Sequence, residues 1–257
     1  MLNNQTTQKL HDMRLSALAN EYRRQMASPD STALSFEERF GMLVDAEWIS
    51  RQNSRVKKLL HGAALRIPEA CIEDIDYDPQ RKLDRGYVVR LADCSWISEH
   101  RNLIITGATG TGKTWLACAF GNAACRQGFK VKYYRVNRLL TDLAIGRGDG
   151  SYNKLMLDIK KTDLLILDDW GMAVLDPVLG RDLLEVVEDR CGIKSTIIAG
   201  QLPVSDWHAV FEDSTVADAV LDRLVHNAHR LALCGPSKRR PNEHDEQNCA
   251  AGIGDLC

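Results

Sequence analysis

The chain of 257 residues is 44% hydrophobic with a formal net charge of −2, enough apolar material for one or two domains and too close to neutral for total charge to point to a nucleic-acid partner. Its eight cysteines are scattered without a C-x-x-C pair, which argues against a zinc site and against a disulfide-stapled secreted scaffold. The opening "MLNNQTTQKLHDMR" lacks an apolar signal core, and no apolar run of about 18 residues occurs, so a reduced, cytosolic, soluble protein with no membrane segment is expected.

Residues 8–27 place Leu15, Leu18, Tyr22 and Met26 on one helical face, and Pro29 ends that segment. Ser35 followed by Glu38 forms a capping box for a second helix, with Phe36, Phe40, Leu43, Val44 and Trp48 expected on its inner side. The same helix then turns basic and polar and ends at Gly62. These segments predict an all-helical domain over 1–66. Within it Arg51, Arg55 and Lys58 stand at i, i+4 and i+7, flanked by Asn53, Lys57 and His61. Such a face either neutralises DNA phosphates, with an affinity that falls with salt, or is simply the solvated side of a helix.

Residues 67–100 read as a mixed connector whose prolines and acids suit a path over the surface. Strands and helices then alternate: "NLIIT" (102–106), "KVKYYRV" (130–136), "DLLILDD" (163–169), "STIIAG" (195–200) and "HRLAL" (229–233). This alternation predicts an α/β core with a parallel five-stranded sheet. The polar tail 242–257 is expected to be disordered.

The segment "GATGTGKT", Gly107, Ala108, Thr109, Gly110, Thr111, Gly112, Lys113 and Thr114, fits G-x-x-x-x-G-K-[ST]. Between a short buried strand and an alanine-rich helix, that pattern is a phosphate cradle: glycines let backbone N–H groups point at one anion, Lys113 reaches the β- and γ-phosphates, and Thr114 binds Mg²⁺. Hydrolysis also needs carboxylates. The apolar strand Leu164–Leu167 delivers Asp168 and Asp169 to its C-terminal end, where ligands gather in an open α/β sheet. Asp168 is the expected Mg²⁺ carboxylate, and Asp169 the group that orients or deprotonates water. The strand inserted between the two motifs favours an NTPase over a small-molecule kinase.

The runs "SYNKLMLDIKKTDLLILDDWG", "STIIAGQLPVSDWH" and "ADAVLDRLVHNAHRLAL" resemble the IstB-type transposition helper proteins, a clade of AAA+ ATPases related to the DnaC helicase loader, over almost the whole chain. The resemblance implies ATP as the nucleotide, a bacterial cytoplasmic setting, and ATP-dependent assembly of a homo-oligomer, ring or spiral, on duplex DNA. It further implies a cognate transposase whose insertion target the protein helps to select or remodel. Gln201 falls at the sensor-1 position, Arg223 matches the arginine finger and Arg239 resembles the sensor-2 arginine. Asp169 stands where glutamate is usual, one methylene shorter, which implies slow turnover. Gln201 is longer than the common asparagine. From its surroundings alone, Arg223 could equally pair with Asp222 or Asp218 on its own helix. The segment "GRGDGSYNK" reads as a flexible loop in which Arg147, Tyr152 and Lys154 either face DNA in an assembly or lie in solvent. No major-groove signature is present, so contact with DNA would be directed to the backbone. The alternative function is a helicase loader, which needs an apolar or acidic docking face.

Overall fold

A computed structural model of the protein describes residues 2–238; Arg239 and the tail from 242 lie outside the described residues. The chain divides into two compact units, Met1–Lys58 and Leu59–Cys257. The division falls at Lys58 rather than at 66 because Leu59, Leu60, Ala63 and Leu65 pack into the core of the larger unit.

The smaller unit contains α1 (Leu2–Asp12), α2 (Ser16–Ala27) and most of α3 (Phe36–Ala63). The single helix expected over 8–27 is broken: Arg14 takes a left-handed conformation (φ 60°), and the Leu15 N–H closes the turn on the Leu10 carbonyl at 2.8 Å. The capping box forms as expected, Ser35 N–H donating to Glu38 Oε2 at 2.8 Å and Glu38 N–H to Ser35 Oγ at 3.3 Å. The inner face of α3 differs from expectation. Phe36 (77% exposed), Phe40, Val44 and Trp48 (61%) stand in solvent, and Leu43 is half-buried. Polar groups tie α2 to α3 instead. Glu47 accepts from the Ala17 and Leu18 N–H groups at 3.1 and 3.2 Å, satisfying free donors at the start of α2. Buried Gln25 donates to the Arg39 carbonyl at 3.1 Å.

The larger unit is built on β1 (Asn102–Gly107), β2 (Val131–Arg135), β3 (Leu164–Trp170), β4 (Ser195–Gly200) and β5 (Ala228–Leu233). All pairs are parallel, in the order β2-β3-β4-β1-β5. Successive residues of the central strands feed opposite layers: Leu103, Ile105, Ile166 and Ile197 on one side, Ile104, Leu165, Leu167 and Ile198 on the other. Burial on both faces explains why these strands read as continuous apolar runs. The first layer holds α4 (Arg85–Ala92), α5 (Ser95–Ser98) and α6 (Lys113–Arg126); the second holds α7 (Val136–Asp149), α8 (Tyr152–Lys160), α9 (Pro177–Glu188) and α10 (Ser214–Val225).

The connector 67–100 is no surface run. Ala70, Ile75, Val88, Leu91, Trp96 and Ile97 are buried in the first layer, and the Trp96 indole donates to the Leu91 carbonyl at 2.9 Å. Gly121 lets α6 approach the sheet closely, since a Cβ there would lie 2.8 Å from Ile166 Cδ1 of β3. The start of the central strand β4 is pinned by buried Arg190, which donates to the carbonyls of Ile159 (2.7 Å), Thr162 (2.9 Å) and Ser195 (2.5 Å). A guanidinium that meets its partners in this fixed fork satisfies backbone groups at several element ends at once.

Burial pushes the thiols of Cys94, Cys118 and Cys125 up to about 12, 11 and 12, so they stay protonated at pH 8, whereas Cys191 and Cys234 are exposed. Iodoacetamide at pH 8 is therefore expected to modify Cys191 and Cys234 in the native protein and to reach the three buried thiols only after unfolding; mass spectrometry of the alkylated peptides checks this, and rapid native labelling of Cys118 or Cys125 would contradict the packing of α6.

Candidate nucleotide site

β1 ends in the glycine-rich loop, and α6 starts at its lysine. Gly107, Gly110 and Gly112 have φ of 152°, 85° and 93°. A side chain at Gly107 would collide with the Leu233 carbonyl, and one at Gly110 would lie 2.6 Å from Ser237 Cβ. The loop thus has both a backbone that needs glycine and no room for Cβ. Buried Thr111 closes the turn by donating to the Ala108 carbonyl at 2.8 Å. Gly112 precedes α6 without a side-chain cap, which leaves the helix N–H groups to an anion. The Lys113 ammonium donates to the Ala108 carbonyl at 2.8 Å.

The carboxylates arrive from β3, two strands away from β1. Buried Asp168 accepts two hydrogen bonds on one oxygen, Oδ2: from Thr114 Oγ1 at 2.8 Å and from Tyr133 Oη at 2.7 Å. Burial and the neighbouring carboxylate push the Tyr133 phenol upward, so it remains a donor throughout the neutral range. Asp169 adopts a left-handed conformation (φ 58°) where the β3–β4 register shifts between Leu167 and Trp170. Its Oδ2 lies 3.3 Å from Arg135 Nε and 3.8 Å from Arg66 Nη1. Gln201, directly after β4, accepts from Thr109 Oγ1 at 2.8 Å, which brings it against the glycine-rich loop.

Lys113, Thr114, Asp168, Asp169 and Gln201 line one cavity of about 720 Å³. The same cavity is lined by three cations that the sequence reading did not single out: Arg66, Arg81 and Lys238. Arg81 is buried, donating to the Thr111 carbonyl at 2.9 Å and to the Asp76 carbonyl at 2.5 Å, while its Nε has no partner. Lys238 pairs with Asp76, and its N–H donates to the Gly110 carbonyl at 3.1 Å. Lys238 sits in the "SKR" run beside Arg239, so the run points to the site; nothing in the sequence marks Arg66, Arg81 or Tyr133.

Other predicted residues lie elsewhere. Arg223 on α10 does not line the cavity; it donates to Ala219 O at 2.8 Å and pairs with Glu188 of α9 at 2.9 Å, rather than with Asp222 or Asp218. Arg239 lies outside the described residues. "GRGDGSYNK" is not a flexible loop: Gly146–Asp149 complete α7, Gly150 and Ser151 turn, and α8 begins at Tyr152. Arg147 pairs with Asp182 and stacks over Tyr152 at 4.1 Å, and Tyr152 donates to Glu185 at 2.5 Å. Both side chains are thus committed to α9, and only Lys154 of that set is free of such ties and exposed. In the smaller unit Arg51 pairs with Glu47 at 2.8 Å, while Arg55, Lys57 and Lys58 are exposed.

Comparison with known proteins agrees with this geometry. The family model "IstB-like ATP binding protein" matches residues 8–246. An insertion-sequence ATP-binding protein of Sinorhizobium fredii is 46% identical over 93% of this chain and 98% of its own length. The ATP-binding protein of insertion sequence IS1162 from Pseudomonas fluorescens is 45% identical over 80% of this chain and 89% of its own. Among solved structures, AMPPCP-bound DnaA of Aquifex aeolicus aligns with TM-score 0.56 at 20% identity, covering 74% of this chain and 57% of that one, so the chain spans little more than half of that protein. The DnaC helicase loader aligns with TM-score 0.55 at 18% identity, covering 66% of this chain and 99% of that one. At these identities the structures speak for the fold, and the sequence matches for the family. The chain belongs to the IstB-like ATP-binding proteins and is an ATPase with the AAA+ fold.

Proposed function

We propose that this protein is an ATP-dependent, DNA-binding regulator that assembles as a homo-oligomer on duplex DNA and helps a transposase select or remodel its insertion target. The observation that carries the ATPase part is the Thr114–Asp168 hydrogen bond, which joins the phosphate loop to the acid strand. The transposition part is supported by the insertion-sequence relatives, matched over nearly their whole length.

In this reading Lys113 leaves the Ala108 carbonyl for the terminal phosphates, and N–H groups of the loop and of the first turn of α6 hold the rest of the chain of phosphates. Thr114 and Asp168 fit Mg²⁺. Among the described residues no three His, Cys, Asp or Glu side chains gather into a metal cage, and one hydroxyl with one carboxylate beside a phosphate cradle is the sparse set that Mg²⁺ accepts alongside phosphate and water oxygens. When bound, the ion neutralises charge that develops on the phosphate oxygens. Asp169 positions the attacking water and takes its proton once it separates from Arg135. Gln201, already on Thr109, faces the terminal phosphate. Arg223 acts on the neighbouring copy, giving up Glu188 for that copy's nucleotide, so hydrolysis depends on assembly. DNA is held through its phosphates by Arg55, Lys57 and Lys58, with Arg51 joining as it leaves Glu47.

A second reading, a loader that docks on a replicative helicase, is favoured by the exposed apolar line Phe36, Phe40, Val44 and Trp48. A gel shift separates the two: binding to duplex DNA with ATP supports the first, and binding only to single strands or only with a helicase supports the second.

Asp169→Asn and Arg223→Ala should each keep ATP affinity near wild type while lowering turnover by about 10²-fold or more. Because the two defects fall on opposite sides of a shared site, mixing the two variants should restore part of the activity; a mixture as inactive as its components would refute an arginine supplied by a neighbour. For DNA, the double variant Arg55→Ala/Lys58→Ala should weaken binding to all duplexes alike and flatten the log–log salt dependence by about 2, read by fluorescence anisotropy at several salt concentrations; an unchanged slope would remove this face from the interface.

A further inference from the structure

Thr114 and Asp168 do not account for the whole environment of the carboxylate. Asp168 Oδ2 is also the acceptor for Tyr133 Oη at 2.7 Å, and Tyr133 comes from β2, a strand with no part in either nucleotide motif. The ring is held on its own side, since Tyr133 packs against the first core layer. Arg66 Nη1 lies 4.0 Å from the same oxygen, Asp168 Oδ2. The carboxylate is therefore fixed from two directions, by the helix that carries the phosphate loop and by an edge strand. The next residue, Tyr134, packs against the opposite core layer.

We propose that Tyr133 is a positioning residue for the metal carboxylate: its hydroxyl holds Asp168 in the orientation that receives Mg²⁺ with ATP. The inference rests on Asp168 being the metal carboxylate of the ATP site. Groups that hydrogen-bond a metal ligand orient it, and their loss lowers metal affinity by about 10–100-fold.

Binding of a fluorescent ATP analogue to the full chain, titrated with Mg²⁺ and repeated in EDTA, tests it. Tyr133→Phe removes one oxygen and keeps the ring. It should leave affinity in EDTA at the wild-type level and raise the Mg²⁺ concentration for half-maximal tightening about tenfold. Tyr134→Phe, the same change toward the other layer, should shift nothing. A wild-type Mg²⁺ requirement in Tyr133→Phe would overturn the proposal, as would an equal shift in Tyr134→Phe. Absence of Mg²⁺-dependent ATP binding in the wild-type chain would instead remove the reading of Asp168 on which it rests.

Discussion

One carboxylate oxygen, Asp168 Oδ2, joins three elements that are far apart in sequence: α6 through Thr114, β3 through Asp168 itself, and β2 through Tyr133. The parallel order β2-β3-β4-β1-β5 makes this possible, because every strand ends at the same edge and the loop after β1 needs to cross only β4 to reach β3. The crossing is tight. A Cβ on Gly200, the last residue of β4, would lie 2.9 Å from the Trp170 carbonyl. Small residues at the end of the intervening strand are thus part of what lets phosphate loop and acid strand meet, and the meeting turns two ordinary motifs into one site.

Charge around that oxygen is arranged in two groups. Asp169, held left-handed at a cost of about 1–3 kcal/mol, faces Arg135 and Arg66, so the carboxylate that would activate water is engaged in ion pairs before nucleotide arrives. On the loop's other side Arg81 braces Thr111, and Lys238 braces Gly110 and Asp76. The segment after β5 and the connector before β1 therefore both rest on the phosphate loop, linking its conformation to regions outside the two nucleotide motifs.

Much of this was legible in the chain. Continuous apolar runs such as Leu164–Leu167 specify strands buried on both faces, and strand β4 begins and ends where the sequence places it. The site residues that were readable owe this to fixed spacing about a glycine-rich turn. What escaped the sequence depends on tertiary placement. Arg66, Arg81 and Tyr133 belong to no local pattern and acquire meaning only when the connector and β2 fold against the loop. Helical periodicity misled for Phe36, Phe40, Val44 and Trp48, because the spacing that marks a buried face also marks an exposed one, and Glu47 and Gln25 took over the contact between α2 and α3. The glycines of "GRGDGSYNK" suggested a loop, but Arg147 and Tyr152 find partners on α9 that hold the turn in place.

In the reading proposed above, phosphate loop and acid strand form a single Mg-ATP site. Hydrogen exchange of the full chain with and without Mg²⁺ and a non-hydrolysable ATP analogue distinguishes one site from two unconnected motifs. Exchange should slow in Gly107–Thr114 and in the Asp168–Trp170 end of β3 together, with protection rising over the same analogue concentrations. Protection confined to the loop, or none in either segment, would contradict it.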